Sequence, residues 1–278
     1  MKLKAKKHYP VKIISYIFLI IITFFSLFPF YLMFVSGTNS TSDILGIPPA
    51  LWFGENLIDN FNNLNERMLI LRVIFNSLFI TITYTVLTLL LASLSGYALA
   101  KFEFKGKKLF FTIIIVTLMI PFQVLLVPLY NLMNAIGWQN SYQAVIVPLL
   151  ANAFGVFLMR QNMLSFPDSL IEAARIDGCN EFSIFMKIVI PTMKPALGAL
   201  AIYTFMSMWG NFMWPLIILN TKEMYTLPVA LASLKGLMRI DYGMIMLAAT
   251  IATIPIMIVF LIFQKQFISG IMGGAVKE

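Results

Sequence analysis

The sequence contains little charge. Asp, Glu, Lys and Arg together make up 12% of its 278 residues, about half the share that is usual in a water-soluble domain. Hydrophobic residues make up 60%. A chain of this composition lacks the polar surface that a large soluble domain needs, so the composition predicts a protein that crosses the membrane several times.

Cysteine and histidine are nearly absent, with Cys179 and His8 the single residue of each type. A lone cysteine excludes an internal disulfide, and neither residue has neighbours at the spacing of a metal site or a redox pair. His8 lies in a basic segment, where we expect it to be solvated. The sequence also lacks a G-x-x-x-x-G-K-[ST] phosphate loop. We therefore predict that this chain binds no metal, no cofactor and no ATP of its own.

Apolar runs long enough to cross a bilayer are the dominant feature. About 20 mainly apolar residues span the hydrocarbon core as a helix. Six runs without Asp, Glu, Lys, Arg or His meet this length, at residues 13–35, 73–100, 109–131, 142–159, 196–219 and 243–263. They predict an all-α fold with six transmembrane helices. Pro121 and Pro128 predict a kink or break in the third.

Basic residues are distributed unevenly between the two sides of these spans. Most of them lie on the side of the N-terminus, which accounts for the net charge of +8 without a nucleic-acid partner. The positive-inside rule then places both termini in the cytoplasm. The predicted segments are a basic N-terminus 1–12, a first span 13–35, an extracytoplasmic loop 36–72, a transmembrane core 73–263 containing a cytoplasmic loop at about 160–195, and a cytoplasmic tail 264–278.

The cytoplasmic loop between the fourth and fifth spans carries two helix signals. Pro167 suits the first position of a helix, Asp168 favours its N-terminal dipole, and Gly178 supplies a stop. A second short helix is predicted from about Glu181 to Ile190, closed by Pro191. The pair forms a helix-turn-helix outside the membrane. Composition alone fits an ordinary amphipathic hairpin that covers the base of the bundle, or a low surface at Ala173 and Ala174 that another protein approaches.

The residues of this loop match a motif. Glu172-Ala173-Ala174, three residues, Gly178, nine residues, Ile188 and then Ile190-Pro191 resembles the EAA motif of permeases in ATP-binding-cassette importers, in which Leu usually precedes the final Pro. Other stretches resemble the second membrane subunit of maltose-type sugar importers, and they are Asn76-Ser77-Leu78, Ile120-Pro121-Phe122-Gln123, Trp209 to Leu216 and the tail Gly274 to Lys277. Where many relatives have Asn and an acidic residue, this chain has Gly210 and Asn211.

The resemblance implies an assembly in which this chain is not an enzyme. Two membrane subunits pair, two ATPase subunits dock beneath them and use ATP and Mg²⁺, and an extracellular solute-binding protein delivers the substrate. The EAA helix sits in a cleft of the ATPase subunit. The residues implied in ATPase coupling are Glu172, Ala173, Ala174, Arg175, Asp177, Gly178, Ile188 and Pro191. The implied location is a bacterial-type plasma membrane, and the implied substrate is a sugar, with an oligosaccharide first and glycerol phosphate as an alternative.

Polar residues within the spans suggest a substrate path. Thr204, Ser207 and Asn211 fall at i, i+3 and i+7, which gives one stripe along a helix. Hydroxyl, amide and aromatic groups suit a sugar. The candidate residues for the path are Thr204, Ser207, Trp209, Asn211, Trp214, Gln123 and Asn152. The alternative is that these polar groups hydrogen-bond to neighbouring helices and that Trp214 is an interfacial anchor.

Two other classes of protein remain to be weighed. A self-sufficient channel would use the cytoplasmic hairpin only structurally and would conduct solute without ATP. A membrane enzyme would need an acid/base pair, an activated nucleophile or a metal cluster, and the spans contain none of these residue sets. Ala92, Gly96 and Ala100 form a small-xxx-small face on the second span, which we assign to helix packing.

Overall fold

The computed structural model describes residues 9–234 and 240–273, with side chains from 12 to 234 and from 240 to 264, and within these ranges the chain is helical, without a β-strand. Two compact units are present. Most of the predicted N-terminal segment 1–12 and the end of the tail, including Gly274 to Lys277, lie outside the described residues.

The first unit comprises residues 1–67 and 233–254. Its helices are α1 (Tyr9–Ser36), α2 (Thr41–Ile44), α3 (Leu57–Met68) and the first part of the long helix Tyr242–Gly273. The apolar stretch of α1 is exposed from Lys12 to Phe30, as expected for a helix that faces lipid, and is half-buried from Tyr31 onward, with Val35 fully buried. Polar side chains hold the far end of α1, where Asn60 Nδ2 donates to the carbonyl oxygens of Gly37 and Asn39 at 3.0 Å each.

The second unit comprises residues 68–232 and 255–278, and its central element is α4 (Ile70–Lys101). The elements that follow are α5 (Lys107–Thr117), α6 (Phe122–Ala135), α7 (Tyr142–Ile146) with a 3₁₀ turn, α8 (Ala153–Leu164), α9 (Asp168–Ile176), α10 (Glu181–Ile184), a π-helical turn Phe185–Val189, α11 (Ile190–Thr192), α12 (Lys194–Trp209), α13 (Met213–Ile218), α14 (Leu227–Leu234) and α15 (Tyr242–Gly273).

Helices α4 and α8 approach each other closely at small residues. A Cβ atom added to Gly96 would lie 2.8 Å from both Met159 Cβ and the backbone nitrogen of Arg160, and one added to Gly155 would lie 3.1 Å from Ala92 Cβ. A Cβ does not fit at Gly96 without a shift of the neighbouring backbone, and one at Gly155 would require Ala92 to move slightly. The predicted packing role of the small face on the second span is therefore confirmed.

One end of α4 is tied down by a buried amide. Asn76 is fully buried, and its Nδ2 donates to the carbonyl oxygens of Glu223 at 2.8 Å and Tyr225 at 3.0 Å. Its Oδ1 accepts a hydrogen bond from the Tyr142 hydroxyl at 2.7 Å. Asn76 thus uses both the nitrogen and the oxygen of its amide to join three separate stretches of the second unit.

The six predicted spans are matched only in part. Three helices are long and apolar enough to cross a membrane, at Lys12–Ser36, Ile70–Lys101 and Tyr242–Gln264. Three bent pairs could supply the others, namely α5 with α6 at 100°, the Tyr142–Leu149 segment with α8 at 45°, and Glu181–Thr192 with α12 at 81°. The predicted break in the third span is confirmed at Pro121, which is in extended backbone before α6, whereas α6 continues through Pro128.

Three boundaries were predicted wrongly. The run 142–159 is interrupted before Ala153, because Asn152 leaves the helix to cap α8 with its side chain on Gly155 N at 2.7 Å. The run 196–219 is not one helix, because α12 ends at Trp209 and Pro215 lacks the N–H that a continuous helix would bond to Asn211. Pro191 does not close the loop's second helix either. The π turn before it widens the backbone, so α11 continues to Thr192.

Candidate functional site

The loop between α8 and α12 forms the helix-turn-helix predicted from the sequence. Pro167 precedes α9 as its N-cap, one position earlier than predicted. Gly178 closes the helix in the left-handed conformation at φ +82°, where its N–H donates to Arg175 O at 3.1 Å. Asn180 then caps α10 by accepting from Ser183 N at 2.8 Å. These caps define a short, rigid connection between α9 and α10.

The two faces of α9 differ in their surroundings. Ile171 and Ala174 are buried in the core that also contains Met163 and Phe185. Glu172, Ala173, Arg175 and Asp177 are exposed on the other face. The expectation of a low surface at both alanines is therefore wrong for Ala174, which packs inward because it follows Ile171 by three positions on the same face. Beyond α9, Gly178 and Pro191 are exposed and Ile188 is half-buried.

Exposed apolar residues extend the outward face of α9. Ile176 is 87% exposed and Phe182 is 67% exposed, and Leu170 lies on the same loop with half of its surface accessible. None of these three residues was predicted from the sequence. Ile176 and Phe182 could have been noticed, because they lie on either side of Gly178, where the helix ends and the helical period no longer assigns apolar side chains to a buried face. Together with Ala173 they form an apolar surface beside the charged motif residues.

Lys101 connects this loop to the end of α4. Its ammonium donates to the carbonyl oxygen of Phe166 and to Asp168 Oδ1, both at 2.6 Å, and the Lys101 side chain is only 4% exposed. Asp168 is the first residue of α9. Hydrogen bonds to a charged group are stronger than neutral ones. The start of α9 is therefore fixed to the last turn of α4.

A second ion pair bridges the turn. Arg175 Nε lies 2.6 Å from Glu181 Oε1, and this hydrogen bond raises the pKa of Arg175 above its ordinary value. The pair joins the end of α9 to the start of α10 across Gly178, so both ends of α9 have an ionic attachment.

A cavity of about 900 Å³ lies elsewhere in the second unit. Its walls come from α4, the α5–α6 junction, α6, the segment 148–154, α12 and the residues after α12. The polar groups on these walls are phenols, amides and hydroxyls, from Tyr84, Thr117, Gln123, Asn152, Tyr203, Ser207 and Asn211. Phe154 and Tyr203 add two aromatic rings with centroids 4.6 Å apart. Every lining residue of this cavity is free of acidic, basic or imidazole groups.

Four of the seven predicted path residues line this cavity. They are Gln123, Asn152, Ser207 and Asn211. Asn152 also has structural bonds, because its Nδ2 donates to the Tyr84 hydroxyl at 3.1 Å while its Oδ1 caps α8. Neither Tyr203 nor Phe154 was predicted from the sequence. Tyr203 precedes Ser207 by four residues on α12, so the face of the helix that lines the cavity contains Tyr203 and Ser207 in place of the predicted Thr204 and Ser207.

The other three predicted path residues lie in the protein interior. Thr204 is fully buried and its hydroxyl donates to Leu200 O at 2.8 Å within its own helix. Trp209 and Trp214 are buried, and Trp214 Nε1 donates to Ala144 O at 2.9 Å. The stripe was projected from Thr204 to Asn211 as one helix, but the helix ends between them. Of the three, Trp214 packs edge to face against Phe122, a lining residue of the cavity, with ring centroids 6.5 Å apart.

Comparison with known proteins gives a consistent result along nearly the whole chain. Residues 88–272 match the family described as binding-protein-dependent transport system inner membrane component. The arabinooligosaccharides transport system permease protein AraQ of Bacillus subtilis (strain 168) is 38% identical over 264 residues, covering 94% of each chain. The lactose transport system permease protein LacG of Rhizobium radiobacter is 37% identical over 262 residues, covering 94% of this chain and 95% of the relative.

A solved structure shares the fold. The chain superimposes with a TM-score of 0.82 and 22% identity on a chain of a bacterial ABC transporter involved in the import of the acidic polysaccharide alginate, and the match covers 96% of this chain and 100% of that one. At this identity the likeness concerns the fold alone. The family match spans more than half of the sequence, and both sequence relatives exceed 30% identity over almost their full length. This protein therefore belongs to the family of inner membrane components of binding-protein-dependent transport systems.

Proposed function

We propose that this chain is the permease subunit of an ATP-driven importer for an uncharged sugar, with an oligosaccharide as the first candidate. It pairs with a second permease, receives the sugar from an extracellular binding protein, and is powered by two separate ATPase subunits. Family membership and the names of the two sugar-permease relatives support this proposal. Both termini and the α9 loop lie in the cytoplasm, in accordance with the distribution of basic residues.

The lining of the cavity carries the sugar assignment. Amide and hydroxyl groups satisfy the many donors and acceptors of a carbohydrate, and aromatic rings such as Tyr203 and Phe154 pack on its C–H faces. An anionic solute that entered this space would lose hydration without a cationic partner among the residues that line it. The volume of about 900 Å³ lies at the upper end of the range for small-molecule sites. We therefore favour a neutral sugar over glycerol phosphate.

The α9 loop is proposed as the ATPase docking site. Its exposed face presents Glu172 and Arg175 for polar contacts and Ala173 and Ile176 for close apolar packing. A displacement of α9 by the ATPase reaches α4 through Lys101, which bonds to Asp168 at 2.6 Å. Because α4 packs closely against α8 at Gly96, the movement is passed on to the core of the second unit. This path needs no ATP bound to the permease itself.

Affinity purification of the chain in mild detergent tests the assembly. We expect recovery of a second permease and an ATPase, with ATPase activity that falls away in a Glu172→Ala, Gly178→Pro double variant. The same complex is then assayed in liposomes for uptake of lactose and arabinobiose, with glycerol 3-phosphate as the anionic probe. If the chain purifies alone and conducts solute in liposomes without ATP, it is a channel and the proposal is wrong.

The cavity assignment has its own matched pair of variants. Tyr203 and Met206 are both about half exposed on α12, but only Tyr203 lines the cavity. We expect Tyr203→Ala to weaken sugar uptake by raising the concentration for half-maximal transport, because an aromatic contact is lost. Met206→Ala should leave uptake unchanged. Equal behaviour of the two variants would contradict the assignment of the cavity to the sugar.

A further inference from the structure

A segment of the first unit exposes large apolar side chains without any charge. Between Asp43 and Glu55 the chain reads Ile-Leu-Gly-Ile-Pro-Pro-Ala-Leu-Trp-Phe-Gly. We call residues 45–53 the apolar wedge. Within it, Ile47 is fully exposed and Trp52 is 78% exposed, and Leu45 and Phe53 are exposed as well. An exposed patch of this kind marks a surface that contacts a membrane or another protein.

The wedge is held in place by its backbone. Asn39 Nδ2 donates to Trp52 O at 2.9 Å, and the Tyr31 hydroxyl donates to Leu51 O at 2.8 Å. Gly54 N donates to Thr38 Oγ1 at 2.9 Å just beyond the wedge. These bonds attach the segment to the last turn of α1 and to the residues that follow it. The apolar side chains are therefore presented from a fixed frame.

The wedge continues the lipid-facing surface of α1. A row of aromatic rings runs along the exposed side of the helix and into the wedge, with centroid distances of 6.0 Å from Phe24 to Phe28, 6.5 Å from Phe28 to Tyr31 and 6.3 Å from Tyr31 to Phe53. Residues 12–30 of α1 are exposed in this structure, and Lys12–Ser36 has the composition of a membrane span. A surface continuous with such a span has lipid as its neighbour.

The position of Tyr31 sets the depth. It lies five residues before the end of α1 at Ser36, which is about 7 Å along the helix axis. Because Leu51 and Phe53 both contact Tyr31, the wedge lies beside the last turns of the span instead of extending beyond them. This is the level at which Trp and Tyr side chains concentrate in membrane proteins, with the ring in the apolar region and the polar edge near the headgroups.

We propose that the apolar wedge inserts into the phospholipid interface beside the C-terminal end of α1, with the Trp52 ring near the headgroups. Lipid is the occupant because the wedge is uncharged, continuous with the lipid-facing row of α1, and level with the end of the span. The wedge fixes the depth of α1 in the bilayer. A docked protein is the competing occupant, and the experiment separates the two.

Fluorescence quenching of Trp52 tests this proposal. The full-length chain, purified with whatever subunits accompany it, is placed in phosphatidylcholine and phosphatidylglycerol nanodiscs whose acyl chains are brominated near the headgroup or near the chain end. The emission of Trp52 is obtained as the difference between the native protein and a Trp52→Phe variant. We expect a blue-shifted difference spectrum that is quenched more by bromine near the headgroup than by bromine near the chain end.

A second tryptophan position controls for a local structural change caused by the Trp52→Phe substitution. Ile47→Trp, made in the Trp52→Phe background, places the ring at the fully exposed position of the same segment, where bromine near the headgroup should quench it as well. An unquenched difference spectrum typical of water at both positions would overturn the proposal. So would a spectrum that bromine leaves unchanged but that shifts when a co-purified protein is removed, because that protein would then be the occupant.

Discussion

The left-handed turn at Gly178 allows a sharp test of the docking loop, since the chain contains a matched position. Gly178 has φ +82° and Gly137, in the turn after α6, has φ +70°. At each of them an added Cβ would meet no atom within 4 Å. Each N–H donates to a carbonyl three residues back, at 3.1 Å to Arg175 O and at 3.0 Å to Asn134 O. The same substitution therefore causes the same local strain in two different places.

Alanine and proline give graded perturbations at these positions. Alanine in the left-handed region costs about 1–2 kcal/mol, of which about 0.4–1 kcal/mol is offset by the stiffer unfolded chain, so the net loss is about 1 kcal/mol at either glycine. Proline holds φ near −65° and removes the N–H, a change that the turn at φ +82° cannot accommodate in place. Gly178→Pro must therefore redirect α10 relative to α9.

Co-purification and uptake are the assays. We expect Gly178→Pro to insert into the membrane but to lose the bound ATPase and ATP-driven sugar uptake, with Gly178→Ala intermediate. Gly137→Pro should lower thermal stability while the ATPase stays bound, because Gly137 lies in a different turn. If Gly178→Pro retained normal uptake, or if both proline variants lost the ATPase equally, the assignment of α9 as the coupling helix would be refuted.

Three further predictions concern the second unit. Gly96→Ala should lower the stability of the folded chain by about 1–3 kcal/mol and reduce the midpoint of thermal unfolding in detergent, since the added Cβ would lie 2.8 Å from Met159 Cβ. Leu91→Ala, at an exposed position of the same helix, is its control and should change the midpoint little. Lys101→Met keeps the aliphatic stem but removes the bonds to Phe166 O and Asp168, so less sugar should enter per ATP hydrolysed. Lys105→Met, at an exposed position, is the control and should match the native protein. Equal ratios of sugar transported to ATP hydrolysed in the two variants would contradict the coupling path. Trp214→Phe leaves the buried Ala144 carbonyl without its 2.9 Å donor and should lower the free energy of unfolding by about 1–3 kcal/mol, with the apparent affinity for sugar unchanged. A changed affinity at full stability would show that Trp214 contacts the substrate.

Uninterrupted apolar runs were predicted well because length and composition alone determine them. The first, second and sixth runs correspond to α1, α4 and α15, with boundaries shifted by up to four residues except at the end of α15, which lies ten residues beyond the predicted 263. The break at Pro121 was also predictable, since proline acts through its own ring and its missing N–H. The order Pro167, α9, Gly178 followed for the same reason, because caps depend on residues close in sequence.

The errors occur where a contact between residues far apart in sequence, or the local backbone conformation, determines where a helix begins or ends. The break before α8 depends on Asn152 bonding to both Gly155 N and the Tyr84 hydroxyl, and Tyr84 is far away in sequence. The end of α12 at Trp209 changed which residues face the cavity, so Tyr203 was missed and Thr204 was wrongly included in the stripe. Periodicity gives the spacing of a helical face, but it does not tell which face the neighbouring helices leave open.

The buried amide of Asn76 has a consequence for how the protein is made. Its partners Glu223 and Tyr225 follow it by 147 and 149 residues, so the ribosome delivers α4 to the membrane long before those carbonyls exist. A buried amide without a partner is costly in an apolar environment. The Asn76 amide nitrogen therefore lacks both carbonyl partners until residue 225 has been synthesised, so this end of the second unit is completed late in synthesis.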